Sequence, residues 1–178
     1  MLSVNKISAA VALGVLLSLG VVSARQTKPT GKLEVEFRNL SEKAHYNLVD
    51  TVVLDIQIVN AGTEPIGVFA RLGMGYQGGI ILHVLDAGGA EVQPTVLQHD
   101  FLDFAAVEDA KNYFKLQPKS FLGSRQKFAV SGLVAGPGQY SLFVEYHCPV
   151  DPKYAKVENF WSVERKSVVS QKMLLSVE

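Results

Sequence analysis

Apolar and polar residues alternate with a period of two along most of the chain beyond residue 31. Leu33, Val35 and Phe37 are separated by Glu34, Glu36 and Arg38, the pattern of a strand with one face in water. Val52, Leu54, Ile56 and Ile58 repeat it between Thr51 and Asn60, and Ala61, Gly62, Thr63, Glu64 and Pro65 end that run with turn residues. A third run covers Ile66 to Leu72. Gly73 to Gly79 is glycine-rich, and Ile80 to Leu85 is almost continuously apolar, which suits a strand covered on both faces or one that turns a corner. Asp86-Ala87-Gly88-Gly89 then predicts a hairpin turn into a short return strand near Glu91 to Val96. From Gln98 to Tyr113 the period is lost, which predicts a loop or short helix. Strand signals return over Arg125 to Val130 and over Tyr140 to Tyr146. After a long excursion from His147 to Lys166 they appear once more over Ser167 to Val177. No long segment shows the 3.6-residue period of an amphipathic helix.

Seven to nine short strands separated by Gly and Pro turns predict one antiparallel β-sandwich over residues 32–178, with a closed barrel as the alternative. Leu133, Gly138, Tyr140, Leu142, Val144 and Tyr146 resemble the penultimate strand of immunoglobulin and fibronectin-III sandwiches, in which a Tyr near the strand start ties down the preceding corner. The resemblance implies an all-β, immunoglobulin-like fold with Tyr140 at that structural corner. Antibody domains carry a Cys two residues later, where this chain has Leu142, so their inter-sheet disulfide is absent. The whole also resembles small exported bacterial sandwich domains, in architecture only; architecture does not fix function.

The first 24 residues follow a different pattern. One basic residue, Lys6, precedes an apolar stretch from Ile7 to Val22, and Val22-Ser23-Ala24 offers small residues to signal peptidase. The stretch is shorter than the roughly 20 residues of a spanning helix. It predicts a cleaved signal peptide, residues 1–24, a polar linker, residues 25–31, and an exported product, periplasmic or extracellular, with no stable membrane insertion after cleavage. Retention as an N-terminal anchor is the alternative. No Cys follows the cleavage site, which argues against a lipid anchor; the single Cys is Cys148.

Removing residues 1–24 takes away only Lys6, leaving 16 basic against 17 acidic residues. That lacks the basic excess nucleic-acid binding requires. With one Cys no internal disulfide can form, so the fold must rest on its core, which a chain of this size can supply. Cys148 reads as a partly buried thiol.

The motifs predict no cofactor, no metal and no enzyme. Gly73, Gly75 and Gly78 match G-x-G-x-x-G, but a strand-like run follows instead of the helix whose N-terminus binds pyrophosphate, so a flexible connector is expected. His147-Cys148 at a strand end resembles the approach to a cupredoxin copper ligand, yet no His follows and the next Met is Met173. Asp100, Asp103, Glu108 and Asp109 form an acidic cluster without EF-hand spacing. No G-x-S-x-G elbow occurs.

The His147–Lys166 excursion holds Tyr154, Phe160 and Trp161, the only Trp. Aromatics on a loop carried by a rigid sandwich suit partner binding; the competing reading is that they fold back and plug the core. Asn39-Leu40-Ser41 is a glycosylation sequon. The expected function is a non-enzymatic exported module that binds a protein or envelope polysaccharide through Tyr154, Phe160 and Trp161. The alternatives are a sandwich-type protease inhibitor and a cupredoxin-like copper module.

Overall fold

The computed structural model describes residues 32–41, 43–75, 78–95, 110–149, 160–161 and 167–178. The expected signal peptide and linker, the cluster Asp100, Asp103, Glu108 and Asp109, and Tyr154 lie outside the described residues. The strand segments are β1 (Leu33–Asn39), β2 (Thr51–Asn60), β3 (Ile66–Phe69), β4 (Gly73–Met74), β5 (Gly79–Leu85), β6 (Glu91–Val92), β7 (Tyr113–Leu116), β8 (Phe121–Ala129), β9 (Gly138–Tyr146), β10 (Val168–Val169) and β11 (Met173–Val177). A single helical turn, α1 (Val130–Leu133), links β8 to β9.

One sheet has the order β1-β2-β8 and is antiparallel throughout. The other has β10-β9-β5-β4 as its path, with β11 also beside β9 and β6 beside β5. All its pairs are antiparallel except β4 with β5. Taking β1, β2, β5, β8, β9 and β10/β11 as strands A, B, C, E, F and G gives sheets A-B-E and C-F-G. That is the partition of an immunoglobulin-like sandwich. β3 and β7 form a separate two-stranded ribbon.

The alternation of β2 gives it one wholly buried face and one partly covered face. Val52, Leu54, Ile56 and Ile58 are wholly buried, while Val53, Asp55, Gln57 and Val59 are only partly so. They form one core with Leu82, Val84, Leu142, Val144 and Leu175 of the opposite sheet. Each such side chain contributes about 1.5–3 kcal/mol by leaving water. Burial also alternates along Ile80–Leu85, so this apolar run is a one-sided strand whose outer residues are partly covered by their neighbours.

Three local features depart from the sequence pattern. The expected last strand, Ser167–Val177, is divided. Val169 opposes Glu145 but Met173 opposes Leu142, so one extra residue is inserted and a β-bulge results. Ser170 fills the gap, its N–H donating to the Val144 carbonyl (2.9 Å) and its hydroxyl accepting from the Val144 N–H (3.0 Å). Val130 belongs to α1, and the strand before it starts at Phe121, ahead of the expected Arg125. Tyr113–Leu116 pairs with β3, although its sequence gives no alternation.

At the start of β9 the Tyr140 hydroxyl donates to the Gly136 carbonyl at 2.9 Å. This closes the corner between α1 and β9 in the manner of a tyrosine corner.

Candidate functional site

Backbone contacts join the end of β2 to the turn entering β8, and join β3, which follows β2, to Phe160 and Trp161. β3 uses both of its edges. Its residues pair with β7 on one side, and Ala70 continues that ladder by donating to the Asn112 carbonyl at 2.7 Å. On the other side Gly67 and Phe69 turn their polar groups toward β9 and the loop after it. Gly67 forms a parallel bridge with Phe160 and accepts a hydrogen bond from the Trp161 N–H at 2.9 Å. No described strand pairs with Phe69 there, and the Tyr146 hydroxyl takes that place. It accepts from the Phe69 N–H at 2.7 Å and donates to the Phe69 carbonyl at 3.1 Å. Burial pushes the Tyr146 phenol far above its ordinary value, so it remains a donor at any physiological pH.

The rings above this ribbon pack edge to face. Phe160 meets Tyr113 at 4.9 Å and 82°, and Phe69 meets Tyr113 at 5.6 Å. Trp161 lies 5.6 Å from Tyr146 at 39° and is half-buried. The structure thus separates the two described aromatics of the loop. Phe160 is 3% exposed, so its ring fills the core and offers a partner no area. Trp161 has its backbone fixed by Gly67 and part of its indole in solvent.

Gly73, Gly75 and Gly78 form no phosphate cradle, because β5 follows them and no helix does. They let the chain cross itself. The Gly78 N–H donates to the Gly75 carbonyl at 3.0 Å, and a Cβ at Gly78 would lie 2.2 Å from the Gly73 carbonyl oxygen. The connector is therefore a tight backbone contact.

His147 is partly buried beside this crossing. Burial holds its imidazole below the ordinary value, against the opposing influence of Glu145 and of a hydrogen bond to the Gly75 backbone. Cys148 is 6% exposed. Among the described residues no three His, Cys, Asp or Glu side chains are grouped to hold a metal ion. His83, on the outer face of β5, places Nδ1 2.9 Å from Glu91 and Nε2 3.1 Å from Glu145, so its nitrogens address separate carboxylates and share no cation site.

No family model and no curated protein matches the chain. Among solved structures it is similar to the CARDB domain of a Pyrococcus furiosus protein in complex with di-metal ions, at 13% identity over 85% of this chain and 96% of that one, with a TM-score of 0.39. A PapD-like (ASH) domain of a human protein matches at 15% identity over 98% of this chain and 96% of that chain, with a TM-score of 0.31. A β-glucosidase from Listeria innocua in complex with glucose matches at 12% identity and a TM-score of 0.40, and the chain spans 16% of its length. The fold stated above rests on strand order and register, independently of these likenesses.

Sequence reading did not single out Tyr146, Phe69 or Tyr113. Tyr146 shows the inward phase of its strand, which marks it as core; only the position of β3 reveals its hydroxyl as a ladder partner. The sequon residues are likewise structural. Asn39 Nδ2 donates to the Tyr46 hydroxyl at 2.6 Å, its Oδ1 accepts from the Ser41 N–H at 2.9 Å, and the Ser41 hydroxyl accepts from the Val53 N–H at 2.7 Å.

Proposed function

We propose that this protein is a non-enzymatic interaction module that acts after export and binds a protein or envelope polysaccharide through the loop end described above. The observation that supports the reading is Trp161: a partly buried indole that keeps some solvent exposure, whose backbone is fixed to Gly67 and whose ring leans on buried Tyr146. An aromatic ring held in this way gives large contact area at small entropic cost. Tyr154 belongs to the same loop and is the second candidate contact. Phe160 serves the site from beneath, as packing.

The test is a pull-down from envelope extract and from isolated envelope polysaccharide with Trp161→Ala and with the parent protein. Loss of the captured species by the variant, with an unchanged melting transition, is the expected result. Equal capture by both proteins rejects the site.

A further inference from the structure

Among the described residues, no strand pairs with the outer edge of β8. The Asn60 N–H donates to the Ser120 carbonyl at 3.0 Å, which sets the alternation along β8. With Ile58 opposite Leu122 and Ile56 opposite Ser124, the residues Leu122, Ser124, Gln126 and Phe128 direct their N–H and C=O groups toward β2. Phe121, Gly123, Arg125, Lys127 and Ala129 therefore direct theirs away from it. No described strand lies on that side, and all five residues are exposed. Constant-type sandwiches place a fourth strand, D, beside E at this point. Here the strand preceding β8 is β7, which pairs with β3 instead.

Such an edge is nine residues long, roughly 30 Å, and contains no Pro. Exposed cations commonly protect edges from unwanted pairing, and Arg125 and Lys127 fit that role in part. The adjoining residues do not. Phe121 is 60% exposed. At Gly123 a Cβ would meet only ordinary contacts, the Ile56 carbonyl and the Phe121 ring at 3.5 Å, and its φ is not positive, so nothing among the described residues requires glycine there. A glycine without internal cause in a strand is a mark of close approach by another backbone. The charges also favour one kind of partner. Arg125 comes no nearer than 3.8 Å to Asp55, and among the described residues Lys127 forms no ion pair.

We propose that the outer edge of β8 accepts an extended segment of a partner protein as an added strand, and that this segment carries carboxylates two residues apart to meet Arg125 and Lys127. Main-chain hydrogen bonds to Gly123, Arg125 and Lys127 supply the attachment, and the alternating charges supply register and choice of partner. Phe121 takes an apolar residue of the same segment. This surface shares no residue with the loop end and does not depend on it.

The probe is a short synthetic valine peptide with two glutamates two residues apart, so that a valine falls opposite Phe121 when the glutamates meet Arg125 and Lys127; it is compared with its lysine-for-glutamate counterpart and with a version N-methylated at alternate residues. Binding of the acidic peptide is expected to slow hydrogen exchange at the Gly123, Arg125 and Lys127 amides. The double variant Arg125→Glu and Lys127→Glu should weaken the acidic peptide about tenfold or more and favour the lysine peptide. Gly123→Pro removes an outward N–H without touching the β2 ladder and should abolish protection. If Gly123→Pro fails to fold, the charge-reversal pair carries the test alone. Absence of binding, equal binding of the N-methylated peptide, or binding without protection of β8 overturns the proposal. So does self-association of the protein that already protects these amides, which would make the occupant a second copy.

Discussion

The Tyr146 hydroxyl stands in for a strand: it satisfies both the N–H and the C=O of Phe69, at 2.7 and 3.1 Å. β3 thereby has partners on both edges, β7 on one and, on the other, Tyr146 for Phe69 and the Phe160–Trp161 backbone for Gly67. This arrangement ties Phe160 and Trp161 to β3, and Trp161 rests on the same tyrosine.

Tyr146→Phe should therefore cost far more than the loss of a surface hydroxyl. Phe69 is wholly buried, and both its backbone groups would lose their partner. At about 1–3 kcal/mol for each of the two buried groups left unpaired, a destabilisation of about 2–6 kcal/mol is expected. Urea unfolding measures it as a lower midpoint with an unchanged slope. A change below about 0.5 kcal/mol would mean that water replaces the phenol.

Tyr140→Phe removes a single bond, to the Gly136 carbonyl at 2.9 Å, at a partly buried corner. The carbonyl can turn to water once the bond is gone. The expected loss is about 0.5–1.5 kcal/mol, smaller than for Tyr146→Phe. Equal losses for the two variants would contradict the assignment of Tyr146 as a ladder partner.

The central sandwich strands were legible because each needs one dry and one wet face. Leu33 to Phe37, Val52 to Ile58 and Leu142 to Tyr146 show that period and form β1, β2 and β9. β7 was not legible, since in Tyr113–Leu116 only Leu116 is buried and the strand exists through its pairing with β3. The bulge at Ser170 leaves no trace in hydrophobicity because the hydroxyl, not the pattern, replaces the missing ladder bond. Tyr140 could be placed by its distance from Gly138 and Leu142, whereas the separate fates of neighbouring Phe160 and Trp161 depend on which one faces Tyr113. Arg125 and Lys127 read as an ordinary wet face; only the absence of a described strand beside them gives the edge its meaning.

Gly78→Ala tests the backbone crossing. Its Cβ would come within 2.2 Å of the Gly73 oxygen and 2.4 Å of the Gly73 carbon, and backbone cannot yield as a flexible side chain does. Overpacking of this kind costs about 1–3 kcal/mol. The expected result is a lower melting temperature, measured by circular dichroism. Gly89→Ala, in an open turn at φ 83°, should show only the smaller cost of a left-handed residue. A wild-type melt for Gly78→Ala would show that the crossing relaxes freely.

His147 gives the protein an acid-side weakness. Burial is the leading cause of its depressed folded value, with Glu145 and the Gly75 backbone opposing it. In the unfolded chain the imidazole titrates near its ordinary value of about 6.5. Between the folded value and about 6.5 the unfolded state binds more protons, so stability rises with pH there. The contribution of His147 is fully present above about 6.5 and is lost as pH falls through the folded value. Asp50, held low first by its hydrogen bond to Lys43 and then by the Asn47 N–H, behaves with the same sign but in a lower window, beginning below about 3.9. Urea midpoints measured from about pH 7.5 down to about pH 4.5 should decline for the parent protein. His147→Gln, which cannot take up the proton, should flatten the decline, and the difference between the two curves cancels every other titrating group. Parallel curves over that range would show that the imidazole is solvated equally in the folded and unfolded chain.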